Sequence, residues 1–215
     1  MKISANSKIV MIGDSITDAG RSRPAGEGLG DALGHGYVTL INALLGAACP
    51  EECIRVVNKG NSGDTVRSLK LRWQEDVLDP QPDWVSIMIG TNDVWRQFDS
   101  PLQVEDHVEI DEYAATLEEL IKVTLPVVSG VVLMTPFYIE PNRDDAMRAQ
   151  MDRYGEVVRS LAARYGTQFV DTQAAFDSVL KTYYPATLGW DRVHPSVTGH
   201  MVIARAFLNE IGFKW

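Results

Sequence analysis

The chain has 215 residues, of which 45% are hydrophobic and 23% charged, with a formal net charge of −9 at pH 7. A chain of this length buries about 70 per cent of its unfolded surface in one core, and this composition argues against disorder and against membrane insertion. The acidic balance, with no basic block to offset it, argues against nucleic acid or an anionic membrane as partner and favours neutral or cationic ligands.

The first residues, MKISANSKIVMIGDS, carry neither the apolar core nor the cleavage site of a signal peptide, and a cytoplasmic location is expected. They run into an apolar strand, Lys8 to Gly13, which ends abruptly in Gly13-Asp14-Ser15. Open α/β sheets place their chemistry at the carboxyl ends of strands, and glycine permits a sharp turn there. Ser15 is therefore a candidate nucleophile, with a helix N-cap or a phosphate ligand as the alternatives. Asp14 is placed to accept from nearby backbone N–H groups and brace the turn, and Thr17 and Asp18 start the first helix.

A helical pattern over Gly36 to Ala47, with Val38, Ile41, Leu44 and Leu45 on one side, leads to "CPEEC". Cys49 and Cys53 lack further ligands at metal-site spacing among His35, His107, His194 and His200, so two reduced thiols and no metal are expected. The second strand, Ile54 to Asn58, is followed by "NKGNSGDT" and by a helix over Thr65 to Leu78. The third, Asp83 to Ile89, is followed by "GTND", Gly90 to Asp93. Trp95 and Arg96 then stand near the mouth of the site. The Trp95 ring can stack on a sugar while Arg96 reaches hydroxyls, or it can pack under the loop.

A helix over Glu112 to Leu125 leads to the fourth strand, Gly130 to Met134. "TPFYIEP" comes next, and Phe137 and Tyr138 are expected to line the same pocket. A helix over Ala146 to Tyr165 and a strand over Gln168 to Asp171 lead to "KTYYPATLGW", whose Tyr183, Tyr184 and Trp190 either fold back onto this subunit or meet another copy. Phe213 and Trp215 extend that argument to the chain end, and a homo-oligomer is expected. "DRVHPS", Asp191 to Ser196, precedes the last helix, Val197 to Ile211, inside which His200 reads as structural. Strands alternating with helices predict one α/β domain over residues 1–215, a three-layer α/β/α sandwich around a parallel sheet of about five strands.

Three of the four polar blocks fall just after strands, and together they have the logic of acyl transfer. A serine hydroxyl needs an imidazole to take its proton, and the imidazole needs a carboxylate to hold its tautomer. Asp191 and His194 supply both from one loop. The backbone N–H groups of Ser15 and Gly63 and the side-chain amide of Asn92 are the natural donors to the oxyanion that forms.

"GDSIT", "NSGDT", "GTND" and "DRVHPS" resemble the four blocks of the SGNH hydrolases, a branch of the GDSL esterases. The resemblance implies a flavodoxin-like fold, Ser15 as nucleophile, Gly63 and Asn92 in the oxyanion hole, His194 as base and Asp191 as acid. Ile16 stands where the family name expects leucine. Stretches between the blocks, among them "RSRPAGEGLG", "PDWVSIMIGTNDVWRQ" and "WDRVHPSVTGHM", are similar to bacterial intracellular acetyl esterases acting on acetylated xylo-oligosaccharides. That similarity implies a cofactor-free carbohydrate acetyl esterase with an acetylated oligosaccharide as substrate. A thioesterase or lysophospholipase of the same family, and an inactive carbohydrate-binding module, are the competing readings.

Overall fold

Ile9, Val10, Met11 and Ile12 are all fully buried, which a strand achieves only when both faces of its sheet are covered. The computed structural model, which describes residues Met1–Trp215, shows how this is done. Strands β1 (Lys8–Gly13), β2 (Arg55–Asn58), β3 (Trp84–Met88), β4 (Gly130–Met134) and β5 (Gln168–Val170) form one sheet in the order β2-β1-β3-β4-β5. Every pairing is parallel. Ile9 and Met11 point into a core built with α2 (Tyr37–Ala48), α7 (Thr172–Leu180) and α9 (Val197–Glu210). Val10 and Ile12 point into a second core built with α3 (Val66–Trp73), α5 (Ile110–Thr124) and α6 (Ala146–Tyr165). The expected three-layer α/β/α architecture is the one observed.

The strand order places the switch point between β1 and β3, from which the chain leaves in opposite directions. Short α1 (Ser15–Asp18) follows β1 and α4 (Thr91–Asp99) follows β3, so Ser15 and Asn92 start helices on either side of that crevice. Two expectations change. "GTND" is a loop only at Gly90, since Thr91 already opens α4. The expected helix over Thr65 to Leu78 is α3, N-capped by Thr65, prolonged by a π turn over Gln74–Leu78 in which Asp79 N–H reaches the Gln74 carbonyl at 2.8 Å. Short α8 (Pro185–Leu188) leads into the Asp191 to Ser196 loop. No helix is long and apolar enough to cross a membrane.

The helix packing beside the crevice depends on His200, which is buried. The N-cap of α2 is Gly36, which has no side chain to offer, and His200 Nδ1 accepts the Tyr37 N–H at 3.2 Å in its place. A Cβ on Gly36 would lie 3.0 Å from His200 Cε1, so glycine here makes the approach possible. An accepting Nδ1 must be unprotonated. Burial, reinforced by the charge of His194, lowers the His200 pKa to about 4. The unfolded chain therefore binds a proton here before the folded chain does. The associated stability is complete above pH 6.5 and is lost as pH falls towards 4, up to about 3 kcal/mol in all. His200→Asn keeps an acceptor for the Tyr37 N–H without a titrating ring. Urea unfolding at pH 7, 5.5 and 4.5 should show the wild type losing this stability relative to the variant as pH falls. A constant difference across the three values would contradict the assignment.

Candidate active site

A Cβ on Gly13 would lie 2.3 Å from both the Met88 carbonyl oxygen and Thr17 Oγ1, so only glycine lets β1 turn this tightly against β3. Asp14 then N-caps α1, its Oδ1 accepting the Ile16 N–H at 2.9 Å. This is the bracing role expected for it, and it leaves Ser15 at the first helical position rather than at the cap. Burial pushes the Asp14 carboxyl up to about 7, against the lowering influence of the Ile16 N–H and of His194.

Ser15 Oγ lies 2.9 Å from His194 Nε2, and His194 Nδ1 lies 2.6 Å from Asp191 Oδ2. Asp191 Oδ1 also accepts the backbone N–H groups of Val193 and His194 at 2.9 and 2.7 Å. Burial opposes ionisation of Asp191, yet these three donors hold its carboxyl below the usual range. A carboxylate facing Nδ1 fixes the tautomer with its proton there, which leaves Nε2 free to accept from Ser15. The Arg192 carbonyl between them accepts from Ile139 N–H at 2.9 Å, and the Arg192 side chain pairs with Glu140 at 2.6 Å.

Three candidate N–H donors follow the carboxyl ends of the neighbouring strands β1, β2 and β3. Ser15 N–H sits in the first turn of α1 and has no acceptor within it. Gly63 holds φ at +85°, the left-handed region that favours glycine, and nothing lies within 4 Å of where a Cβ would project. Asn92 Nδ2 gives one hydrogen to the Asp64 carbonyl at 3.0 Å and keeps the other. Such an arrangement can move a proton from Oγ to Nε2 while N–H donors receive charge on a substrate oxygen.

The profile of the GDSL-like lipase/acylhydrolase family matches residues 11–202, most of the chain. The chain belongs to that family. Within it, the chain is 63% identical over 215 residues to an acetylxylan esterase of Geobacillus stearothermophilus, covering 100% of this chain and 98% of that one. The crystal structure of that enzyme, Axe2, superposes with a TM-score of 0.99 at 63% identity, covering 100% of this chain and 98% of that one. Three of its catalytic mutants, S15A, D191A and H194A, superpose with a TM-score of 0.99 at 62% identity and the same coverage. The W190I variant of the same enzyme, described as an acetyl-xylooligosaccharide esterase, matches equally, with a TM-score of 0.99 at 62% identity. LAE5, an α/β hydrolase from the metagenome of Lake Arreo in Spain, superposes with a TM-score of 0.98 at 56% identity, over 99% of this chain and 98% of that chain.

Around the GDSL blocks, the remaining expected residues divide. Trp95 is half-buried and meets His194 edge-on, with ring centroids 5.7 Å apart, and Arg96 lies beside it. Phe137 and Tyr138 are both buried in the protein interior rather than open beside the triad, which corrects the expectation for both. Phe137 is fully buried and stacks on Phe176 at 4.4 Å inside the α7/α9 core. Tyr138 is buried beneath Arg192, whose guanidinium lies 5.1 Å from its ring centroid. Segment 135–141 therefore supports the loop carrying Asp191 and His194.

Sequence reading missed two further supports. Asp18 Oδ2 accepts Ser62 N–H and Oγ–H at 3.1 and 3.0 Å, fixing the residue before Gly63. Arg72 donates to the Gly13 carbonyl at 3.1 Å, the Lys59 carbonyl at 2.7 Å and Asp64 Oδ2 at 2.6 Å, tying the ends of β1 and β2 together. The signal for Arg72 was present, since it lies three residues from buried Leu69 on the inward side of α3.

Asn92→Ala should lower kcat for p-nitrophenyl acetate about 100-fold to 1,000-fold with KM little changed, because its amide serves the charged oxygen more than the ground-state carbonyl. Steady-state kinetics check this. A rise in KM at constant kcat would make Asn92 a substrate-positioning residue.

Proposed function

We propose that this chain is a serine esterase that removes O-acetyl groups from short xylo-oligosaccharides. The observation that carries the reading is one coincidence of position. Residues 15, 191 and 194, altered in the catalytic mutants of Axe2, are in this chain Ser15, Asp191 and His194, joined by contacts of 2.9 and 2.6 Å. The naming of Axe2 variants as acetyl-xylooligosaccharide esterases supports the substrate class.

In this reading, Ser15 Oγ attacks the acetyl carbonyl carbon as its proton passes to His194 Nε2. The oxyanion is received by Ser15 N–H, Gly63 N–H and Asn92 Nδ2–H, while Asp191 stabilises the imidazolium. Collapse breaks the bond to the sugar oxygen, which leaves with the proton from Nε2, and acetyl-Ser15 remains. Water then repeats the sequence: it gives its proton to Nε2, adds to the acetyl carbon and releases acetate as Ser15 Oγ regains a proton. Trp95, beside His194, offers an aromatic surface for a sugar ring.

Acetate release from acetylated xylo-oligosaccharides by the wild type, lost on Ser15→Ala by a factor on the order of a million, tests the reading. Activity on p-nitrophenyl esters should fall sharply beyond about two to four acyl carbons. Rising activity towards long acyl chains would favour the lysophospholipase or thioesterase alternative.

A cytoplasmic location belongs to the same reading and is supported by Cys53, a free and exposed thiol that suits a reducing compartment. So does a homo-oligomer. Phe213 folds back into the core, but Tyr184, Trp190 and Trp215 remain 76%, 89% and 62% exposed, an aromatic area that suits a second copy. Light scattering behind size exclusion should give a mass well above the 23.8 kDa of one chain, reduced by changing Tyr184 and Trp190 together. A parent at one-chain mass would contradict self-association.

A further inference from the structure

Helix α4 sets Asn92, Trp95 and Arg96 on one side, at positions i, i+3 and i+4. Arg96 Nη2 donates to Asn92 Oδ1 at 3.2 Å, while Asn92 Nδ2 donates one hydrogen to the Asp64 carbonyl at 3.0 Å. The amide is thereby held at both ends. Turning it over would bring Oδ1 against the Asp64 carbonyl and the NH2 group against a cation. The guanidinium is itself fixed: Nη1 pairs with Asp99, and Cζ lies 4.9 Å from the centroid of the Trp95 ring. That ring in turn meets His194 at 5.7 Å.

We propose that Arg96 is a positioning residue of the oxyanion hole, one that orients and polarises the Asn92 amide, rather than the sugar ligand its place in the sequence suggests. The proposal rests on the reading of Asn92 as an oxyanion donor. A cation hydrogen-bonded to an amide oxygen draws electron density from the amide nitrogen, and linked hydrogen bonds strengthen one another. The free Nδ2 hydrogen becomes a better donor. Its extra strength is felt when the substrate oxygen acquires charge, so it acts on kcat more than on KM. Arg96 also keeps the Asn92 amide fixed before substrate arrives, so no reorientation is needed at the moment of reaction. Both terminal nitrogens of the guanidinium are already engaged, by Asn92 and Asp99, and its face lies on Trp95.

The test is a double-mutant cycle on p-nitrophenyl acetate, which has no sugar to bind, repeated on acetylated xylo-oligosaccharide. Arg96→Met should lower kcat on both substrates about ten-fold, with KM within about two-fold, as loss of a charge-assisted hydrogen bond predicts. In an Asn92→Ala background the same change should cost almost nothing, because the amide it serves is gone. Arg96→Gln, which keeps a donor but no charge, should lose a similar factor and serves if the methionine variant does not fold. Two outcomes overturn the proposal: KM for the oligosaccharide rises while kcat holds, which makes Arg96 a sugar ligand, or the loss is undiminished in the Asn92→Ala background. Full activity of Asn92→Ala alone would overturn the oxyanion reading itself, and the proposal with it. Because Ser15→Ala reports separately on the nucleophile, the two failures remain distinct.

Discussion

A single contact, 2.9 Å from Ser15 Oγ to His194 Nε2, joins residues 179 positions apart, and most of the fold serves to keep it in place. Neither end could hold it alone. Ser15 stands on a four-residue helix, and its position is fixed from below by the tight Gly13 turn and the Asp14 cap. His194 stands on an exposed loop and is fixed from behind by Asp191, whose two oxygens take three N–H donors. Behind that loop, Glu140 holds Arg192 and Tyr138 packs beneath it. Precision at the exposed site thus comes from buried support, as expected where a catalytic group sits on a loop rather than on a regular element.

The same economy runs through the strand ends. The three proposed oxyanion donors stand on the start of α1, the loop after β2 and the first turn of α4, and such separate segments drift unless they are tied. Asp93, fully buried, accepts the Val66 N–H at 3.0 Å and joins α4 to the start of α3. Burial pushes its carboxyl up to about 7 against the lowering effect of that N–H, so this tie carries an ionisable group close to neutrality. Asp18 ties the Gly63 loop to α1, and Arg72 ties it to β1. Buried or nearly buried polar groups at the ends of the strands, each with partners, hold this end of the sheet together. An apolar contact would pack there but would not specify where an N–H points.

How much of this could be read from the chain varies with the residue. Ser15 and Asn92 stood out as candidates because apolar runs end just before them, Gly63 because its polar block follows the second strand, and His194 and Asp191 because three residues on one loop suffice for an imidazole and its carboxylate. The five strands were legible for a related reason: Val10 and Ile12 have to be covered as well as Ile9 and Met11. Helix α4 was not legible because its opening, Gly90-Thr91-Asn92-Asp93, is made of residues that favour turns and so reads as a loop. Helix α7 was hidden by Asp171, which reads as the end of a strand and serves as an N-cap. Phe137 and Tyr138 follow a strand as Ser15 does, but which way the chain leaves the sheet is decided by packing against α7 and Arg192. The partners of Arg96 were equally out of reach: a sequence shows a cation beside a tryptophan, and only the helix shows that it faces Asn92.

In the proposed mechanism Ser15 is a nucleophile activated by His194 and Asp191. A fluorophosphonate forms a covalent bond to a serine only where such activation exists, so intact-mass analysis followed by peptide mapping tests for it without assuming a substrate. One adduct per chain is expected, located on the peptide containing Ser15 and absent from folded Ser15→Ala and His194→Ala. No adduct on the folded wild type, or an adduct that persists at another residue when Ser15 is replaced, would contradict it.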